Sequence, residues 1–259
     1  MFPRANQTDR YFIDCEGPDD DALRAAFIWL TAEAESRSAP AVVVTYAKAN
    51  AENFSRILGP QLTAALVSGK AVTVNGQAVR LATVTKGLPA SLRGSVVLAV
   101  WIDDPKLSEI DDLGPRAMCV IPWIPDGIRQ WLTSWQVRDL RSGQAKTPPS
   151  GPSPITQAAL SSLTVSVNLS TGLAHPDDRD EAVLTFRLLR QRNERFDAAE
   201  VRAWAVNNGW SAKGADELRA VAQAVLERRR LQVKGQTRRW GKDVFDYWVK
   251  RAQDTKEQE

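Results

Sequence analysis

Ala41-Val42-Val43-Val44-Thr45 restricts the fold of this chain more than any other stretch. A strand with one wet face alternates apolar and polar residues. This run is continuous, β-branched and preceded by Pro40, as a strand buried on both faces should be. Val96–Ile102 and Cys119–Ile121 repeat the pattern, and Tyr11–Asp14 is a shorter version that ends in an acid. Strands covered on both faces call for a mainly parallel sheet with helices on either side.

The intervening segments read as those helices. Asp19-Asp20-Asp21 suits a positive helix N-terminus, and Ala22, Ala25, Ala26, Trp29 and Leu30 follow at helical spacing until Ser36. Asn50–Leu58, Gln61–Val67, Lys106–Leu113 and Asp126–Leu140 follow, the last with Ile128, Trp131, Leu132 and Trp135 on one side. Asn75-Gly76 separates two short β-branched runs, and both residues tolerate the positive φ of a type I′ hairpin turn. Residues 1–142 are therefore expected to form a three-layer, Rossmann-like α/β domain.

Ser142–Ser153 reads SGQAKTPPSGPS and has no apolar face to bury, so residues 143–153 are expected to be an interdomain linker. Residues 154–259 read as mostly helical. Pro154–Leu163 is helical, and Thr164–Leu169 either continues it or forms a short strand. Further helices are expected at Asp177–Arg192, from the capping box Asp197–Glu200 onward, at Ser211–Arg230 and at Lys242–Ala252. Asn207-Asn208-Gly209 joins two of them in a helix-turn-helix pattern over 197–230. A winged-helix-like DNA reader and a plain helical bundle both fit that pattern.

Charge separates the two halves. Residues 1–142 carry 15 basic and 16 acidic groups, and residues 143–259 carry 19 and 15. Glu227–Arg251 alone holds nine basic residues against three acidic ones. A concentrated basic end suits a polyanionic partner, DNA or RNA, while a solvated helix terminus whose Lys and Arg complement the macrodipole accounts for it at least as well. Arg228, Arg229, Arg230, Lys234, Arg238 and Arg239 are the candidate phosphate contacts, with Trp240 among them to stack on bases. The acids Asp216, Glu217 and Glu227 on the expected second helix weigh against a helix that reads DNA.

No catalytic motif is complete. The dinucleotide fingerprint and the phosphate-binding P-loop are absent, and Ser68-Gly69-Lys70 lacks the upstream glycine of the latter. No serine nucleophile elbow occurs, and His175, the single histidine, stands beside a helix start where a capping role fits. Cys15 and Cys119 are two thiols in a pattern that suits small buried hydrophobes in a reducing compartment. Asp14 and Glu16 follow one strand and Asp103 and Asp104 another. Acids converging beyond the carboxyl ends of parallel strands would hold Mg²⁺ and support phosphoester hydrolysis. Caps and turns also account for such acids. Nine tryptophans are many for this length, and the pair Trp131 and Trp135 at i, i+4 is a candidate partner-binding face.

The expectation is a non-catalytic cytoplasmic binding or accessory protein with no cofactor and no membrane segment, whose helical domain contacts nucleic acid or a protein partner. The alternatives are a metal-dependent phosphoester hydrolase or nuclease using Asp14, Glu16, Asp103 and Asp104, and a structural subunit of a larger complex that docks through its tryptophans.

Overall fold

The computed structural model describes residues 8–146, 151–169, 171–233 and 243–256. These fall into two compact units, 8–146 and 151–256.

The first unit is α/β. Its strands are β1 (Asp9–Phe12), β2 (Ala41–Thr45), β3 (Val72–Val74), β4 (Gln77–Thr83), β5 (Val96–Val100), β6 (Ala117–Ile121), β7 (Val137–Asp139) and β8 (Ala145–Lys146). They make one mixed sheet in the order β3-β4-β2-β5-β6-β1-β7-β8. From β4 to β7 along that order every pairing is parallel, and the antiparallel pairs are β3–β4 and β7–β8 at the two edges. At the hairpin, Asn75 has φ +47° and Gly76 +82°, the left-handed pair that a type I′ turn needs.

The helices are α1 (Asp20–Ser36), α2 (Lys48–Ala51), α3 (Ser55–Leu58), α4 (Pro60–Val67), α5 (Asp104–Asp112) and α6 (Arg129–Ser134). The Asp19 carboxylate caps α1 by accepting from the Ala22 N–H at 2.9 Å. The uninterrupted strand runs bury alternate residues on opposite faces. Val43, Leu98 and Cys119 pack with Leu23, Phe27 and Leu30 of α1 and with Phe54 and Leu66. Val44, Val97 and Val120 pack with Leu107 and Ile110 of α5 and with Ile128 and Trp131. Neighbouring strands therefore send their outgoing chain to opposite faces at two places, between β2 and β5 and between β6 and β1. Crevices open beyond the carboxyl ends of strands at such points.

Three expectations are corrected by tertiary contacts. Asp126–Leu140 is not one helix: α6 stops at Ser134, Trp135 turns extended (φ −128°, ψ 151°), and Val137–Asp139 form β7 beside β1. Asn50–Leu58 breaks into α2, a 3₁₀ turn at Glu52–Phe54 and α3, which ends at Gly59 with φ +83°. β8 lies inside the stretch read as linker, since Ala145 and Lys146 pair with Arg138 and Val137.

The described residues of the second unit carry helices α7 (Pro154–Ser166), α8 (Pro176–Gln191), α9 (Ala198–Asn207), α10 (Ala212–Leu226) and α11 (Val244–Lys256). Side chains cap four of them at the N-terminus: Ser153, His175, Asp197 and Ser211. α10 packs on α8 and α9, and α7 packs on α8 and α11. Leu163, Phe186, Val201, Leu218 and Trp248 lie in the core with no exposed surface. The Trp210 indole N–H donates to the buried Thr164 hydroxyl at 2.9 Å, and the Trp248 N–H to Ser162 at 3.1 Å. The turn after α7 lies directly on α10: Gly172 faces Gly214, and the Leu173 N–H donates to Glu217 at 2.8 Å. Among the described residues of this unit there is no strand; of the basic run expected to supply a wing, Arg228–Arg230 are described and Lys234, Arg238 and Arg239 lie outside the described residues.

Candidate functional site

The strand-end acids do not gather. Asp14 follows β1 and Asp103 follows β5, and β6 stands between those strands. Two strand spacings, about 10 Å, separate the strands they follow. Asp104 accepts from the backbone N–H groups of Gln130 and Trp131 at 2.8 and 2.7 Å, so its carboxylate holds the start of α6. Asp14 is exposed with its carboxylate 3.7 Å from the Lys146 ammonium, and Glu16 is also exposed. Asp103 is exposed at the start of α5, with one carboxylate oxygen against Gly127. Among the described residues no group of three or more His, Cys, Asp or Glu side chains stands where it could hold a metal ion.

The tryptophan pair has a different role from the one its spacing suggested. Trp131 is wholly buried, and its indole N–H donates to Asp111 at 2.8 Å. Asp111 also receives two bonds from the Arg10 guanidinium, each 2.9 Å, and that guanidinium lies 3.6 Å over the Trp135 ring. Arg10, Asp111, Trp131 and Trp135 thus tie β1, α5 and α6 together from inside. Trp131 offers nothing to a partner, because its face of α6 is turned to the sheet.

In the α/β unit two exposed aromatics lie at the carboxyl end of the sheet instead. Tyr46, Trp123 and Ile124 are about half exposed, following β2 and β6. Trp123 meets Trp101 edge-on at 5.3 Å. Trp101 has φ +56°, a left-handed conformation that costs a bulky residue about 1–2 kcal/mol, and its buried indole N–H has no hydrogen-bond partner among the described residues. This kink ends β5 at Val100, two residues before the apolar run itself ends. No local sequence signal announces it, since Gly or Asn is the usual occupant of such a position.

The thiols are inert by environment. Burial, then the nearby Asp19 carboxylate, push Cys15 up to about 11, and burial pushes the wholly enclosed Cys119 up further. His175 caps α8, its ring Nδ1 accepting from the Asp177 N–H at 3.3 Å.

In the second unit, the basic residues are concentrated at the exit of α10. The helix ends in a Schellman turn: the Arg228 N–H reaches the Val225 carbonyl at 3.2 Å and the Arg229 N–H reaches Ala224 at 2.9 Å. Arg228 occupies the left-handed position, φ +58°, where glycine is favoured. Arg228, Arg229 and Arg230 are all exposed, and Arg229 pairs with Glu227 at 2.6 Å. Three arginines of α8 bind the backbone of this same segment. Arg190 donates to Val225 at 2.6 Å, Arg187 to Leu231 at 2.5 Å, and Arg179 to Gln232 at 3.4 Å. Nothing in the sequence linked α8 to the basic run, because the residues involved are 35 to 53 positions apart. The acids of α10 look inward: Asp216 pairs with the buried Arg202 at 2.7 Å, and Glu217 holds Leu173. Lys234, Arg238, Arg239 and Trp240 lie outside the described residues.

Among the described residues no helix is long and apolar enough to cross a membrane. No curated protein and no solved structure matches the chain. Residues 152–249, which run from just before α7 into α11 and include the arginine cluster, are similar to a family described as a domain of unknown function, DUF1889.

Proposed function

We propose that the C-terminal unit binds nucleic acid through its phosphates, and that the protein acts as a non-catalytic binding or accessory factor. Arg228, Arg229 and Arg230 contact the polyanion, while Arg179, Arg187 and Arg190 hold that segment against α8 and add positive potential behind it. The observation that carries this reading is Arg228. A left-handed helix terminus is a place for glycine, and an exposed arginine there has a conformational cost that no side-chain hydrogen bond or ion pair among the described residues offsets. Two further arginines follow it; Glu227 pairs with Arg229 and Asp180 with Arg179. Phosphate contacts of this kind give affinity and little sequence preference.

The test is fluorescence anisotropy with a labelled DNA duplex and its single strands over a salt series. Wild-type protein binds at low salt, with a steep fall in affinity as salt rises. Replacing Arg228, Arg229 and Arg230 together by Gln lowers the slope of log K against log salt by about 2–3. Arg228→Gly alone weakens binding while leaving the fold as stable or more so, because it relieves the left-handed strain. Absence of binding at low salt, or an unchanged salt slope in the triple variant, refutes the proposal.

A further inference from the structure

A second basic site lies in the α/β unit, at the open edge of its sheet. β3 pairs with β4 only over Gln77–Val79, so the outer edge of β4 from Arg80 to Thr83 has no strand beside it. The chain after α4 (Val67-Ser68-Gly69) and the connection through Lys86–Leu92 close around that edge and leave a cavity of about 610 Å³. That volume suits a small organic molecule. Lys48, Arg80 and Lys86 all line the cavity, and no carboxylate does.

The charges there are unbalanced. Desolvation, then the neighbouring Lys86 ammonium, hold Lys48 below the usual lysine range. The Lys48 ammonium also donates to the Val67 carbonyl, which fixes it at the cavity wall. Arg80 and Lys86 are exposed and form no ion pair among the described residues. Thr83, only 5% exposed, also lines the cavity, but its hydroxyl is closed off from solvent there and has no hydrogen-bond partner among the described residues.

We propose that this cavity binds a phosphomonoester with an apolar body, its phosphate held by Lys48, Arg80 and Lys86 and its body against Leu81, Leu88 and Leu92. Three cations without a counter-anion favour a dianion over a carboxylate. A dianion also removes the repulsion between the two lysines, and an arginine fork matches phosphate oxygens. The apolar lining selects against inorganic phosphate alone.

The probes are 1-naphthyl phosphate and 1-naphthol, titrated by calorimetry into the full chain. The phosphate ester binds at least about tenfold more tightly than the alcohol. Lys86→Gln and Arg80→Gln, both at exposed positions, each weaken the ester about tenfold and leave the naphthol affinity unchanged. Arg228→Gly leaves ester binding intact, since the arginine cluster is a different site. Equal affinity for ester and alcohol, ester binding unaffected by Lys86→Gln and Arg80→Gln, loss of ester binding in Arg228→Gly, or no binding at millimolar ester would each overturn the proposal.

Discussion

Removing the Asp111 carboxylate should be the most damaging single change in the α/β unit. Asp111 accepts three hydrogen bonds, two from the Arg10 guanidinium at 2.9 Å and one from the Trp131 indole at 2.8 Å. The side chains of Arg10 and Asp111 are 6% and 3% exposed. In Asp111→Ala the guanidinium stays buried with only the Thr8 carbonyl and the Trp135 ring as partners. Breaking a buried pair from one side costs about 3–5 kcal/mol, and the orphaned indole N–H adds about 1 kcal/mol. These terms overlap, so the expected loss is about 4 kcal/mol, a large share of the 5–15 kcal/mol available to a domain. The double variant Arg10→Met/Asp111→Leu removes both charges and refills the space, and it should recover most of that loss. Urea denaturation followed by hydrogen exchange of peptides covering β1 and β6 reads this unit separately from the helical one. The reasoning fails if Asp111→Ala costs less than about 1 kcal/mol, or if the double variant is as unstable as the single one.

Three further outcomes are expected. Gly172→Ala should destabilise the helical unit by about 2–4 kcal/mol, because a Cβ there would lie 2.8 Å from the Gly214 Cα, and the residue has φ +61°; thermal unfolding measures it, and a neutral variant would contradict the close contact. Asp19→Ala should cost about 1 kcal/mol near neutral pH through loss of the α1 cap. The Ala22 N–H, then Arg141, hold the Asp19 carboxyl below its usual range, so its stabilisation is full above the unfolded-state pKa and is lost as pH falls through the depressed folded value. The stability gap to wild type should therefore shrink below about pH 4, and a gap that widened on acidification would be inconsistent with this sign. With Cys15 pushed up to about 11, native protein at pH 8 should present about one thiolate in a thousand there, so alkylation should be slow until the protein is unfolded; rapid labelling of the native state would show that the thiol is not shielded as described.

The α/β architecture was readable where local pattern alone decides it. β2 spans Ala41–Thr45 as its unbroken apolar run implied, because a strand covered on both faces has no polar residue to place. Asn75-Gly76 likewise specified its hairpin through backbone sterics that act within four residues. The errors came where distant residues override local preference. Helical spacing carried Asp126–Leu140 as one element, but the open edge of β1 draws Val137–Asp139 into the sheet.

Site residues were harder to read for the same reason. Spacing along the chain placed Trp131 and Trp135 on one surface, yet only packing against β1 and α5 shows that Trp131 faces Asp111. The acid at Asp104 was visible, but its role depends on backbone groups 26 and 27 positions away. Charge counts located the basic run at Arg228–Arg230, while the α8 arginines that brace it and the lysine-lined cavity beside β4 exist only after folding. Strand character and turn chemistry follow from a few adjacent side chains and the backbone. Burial, convergence of charge and an unpaired hydroxyl are properties of neighbours in space, which the chain acquires only when it closes on itself.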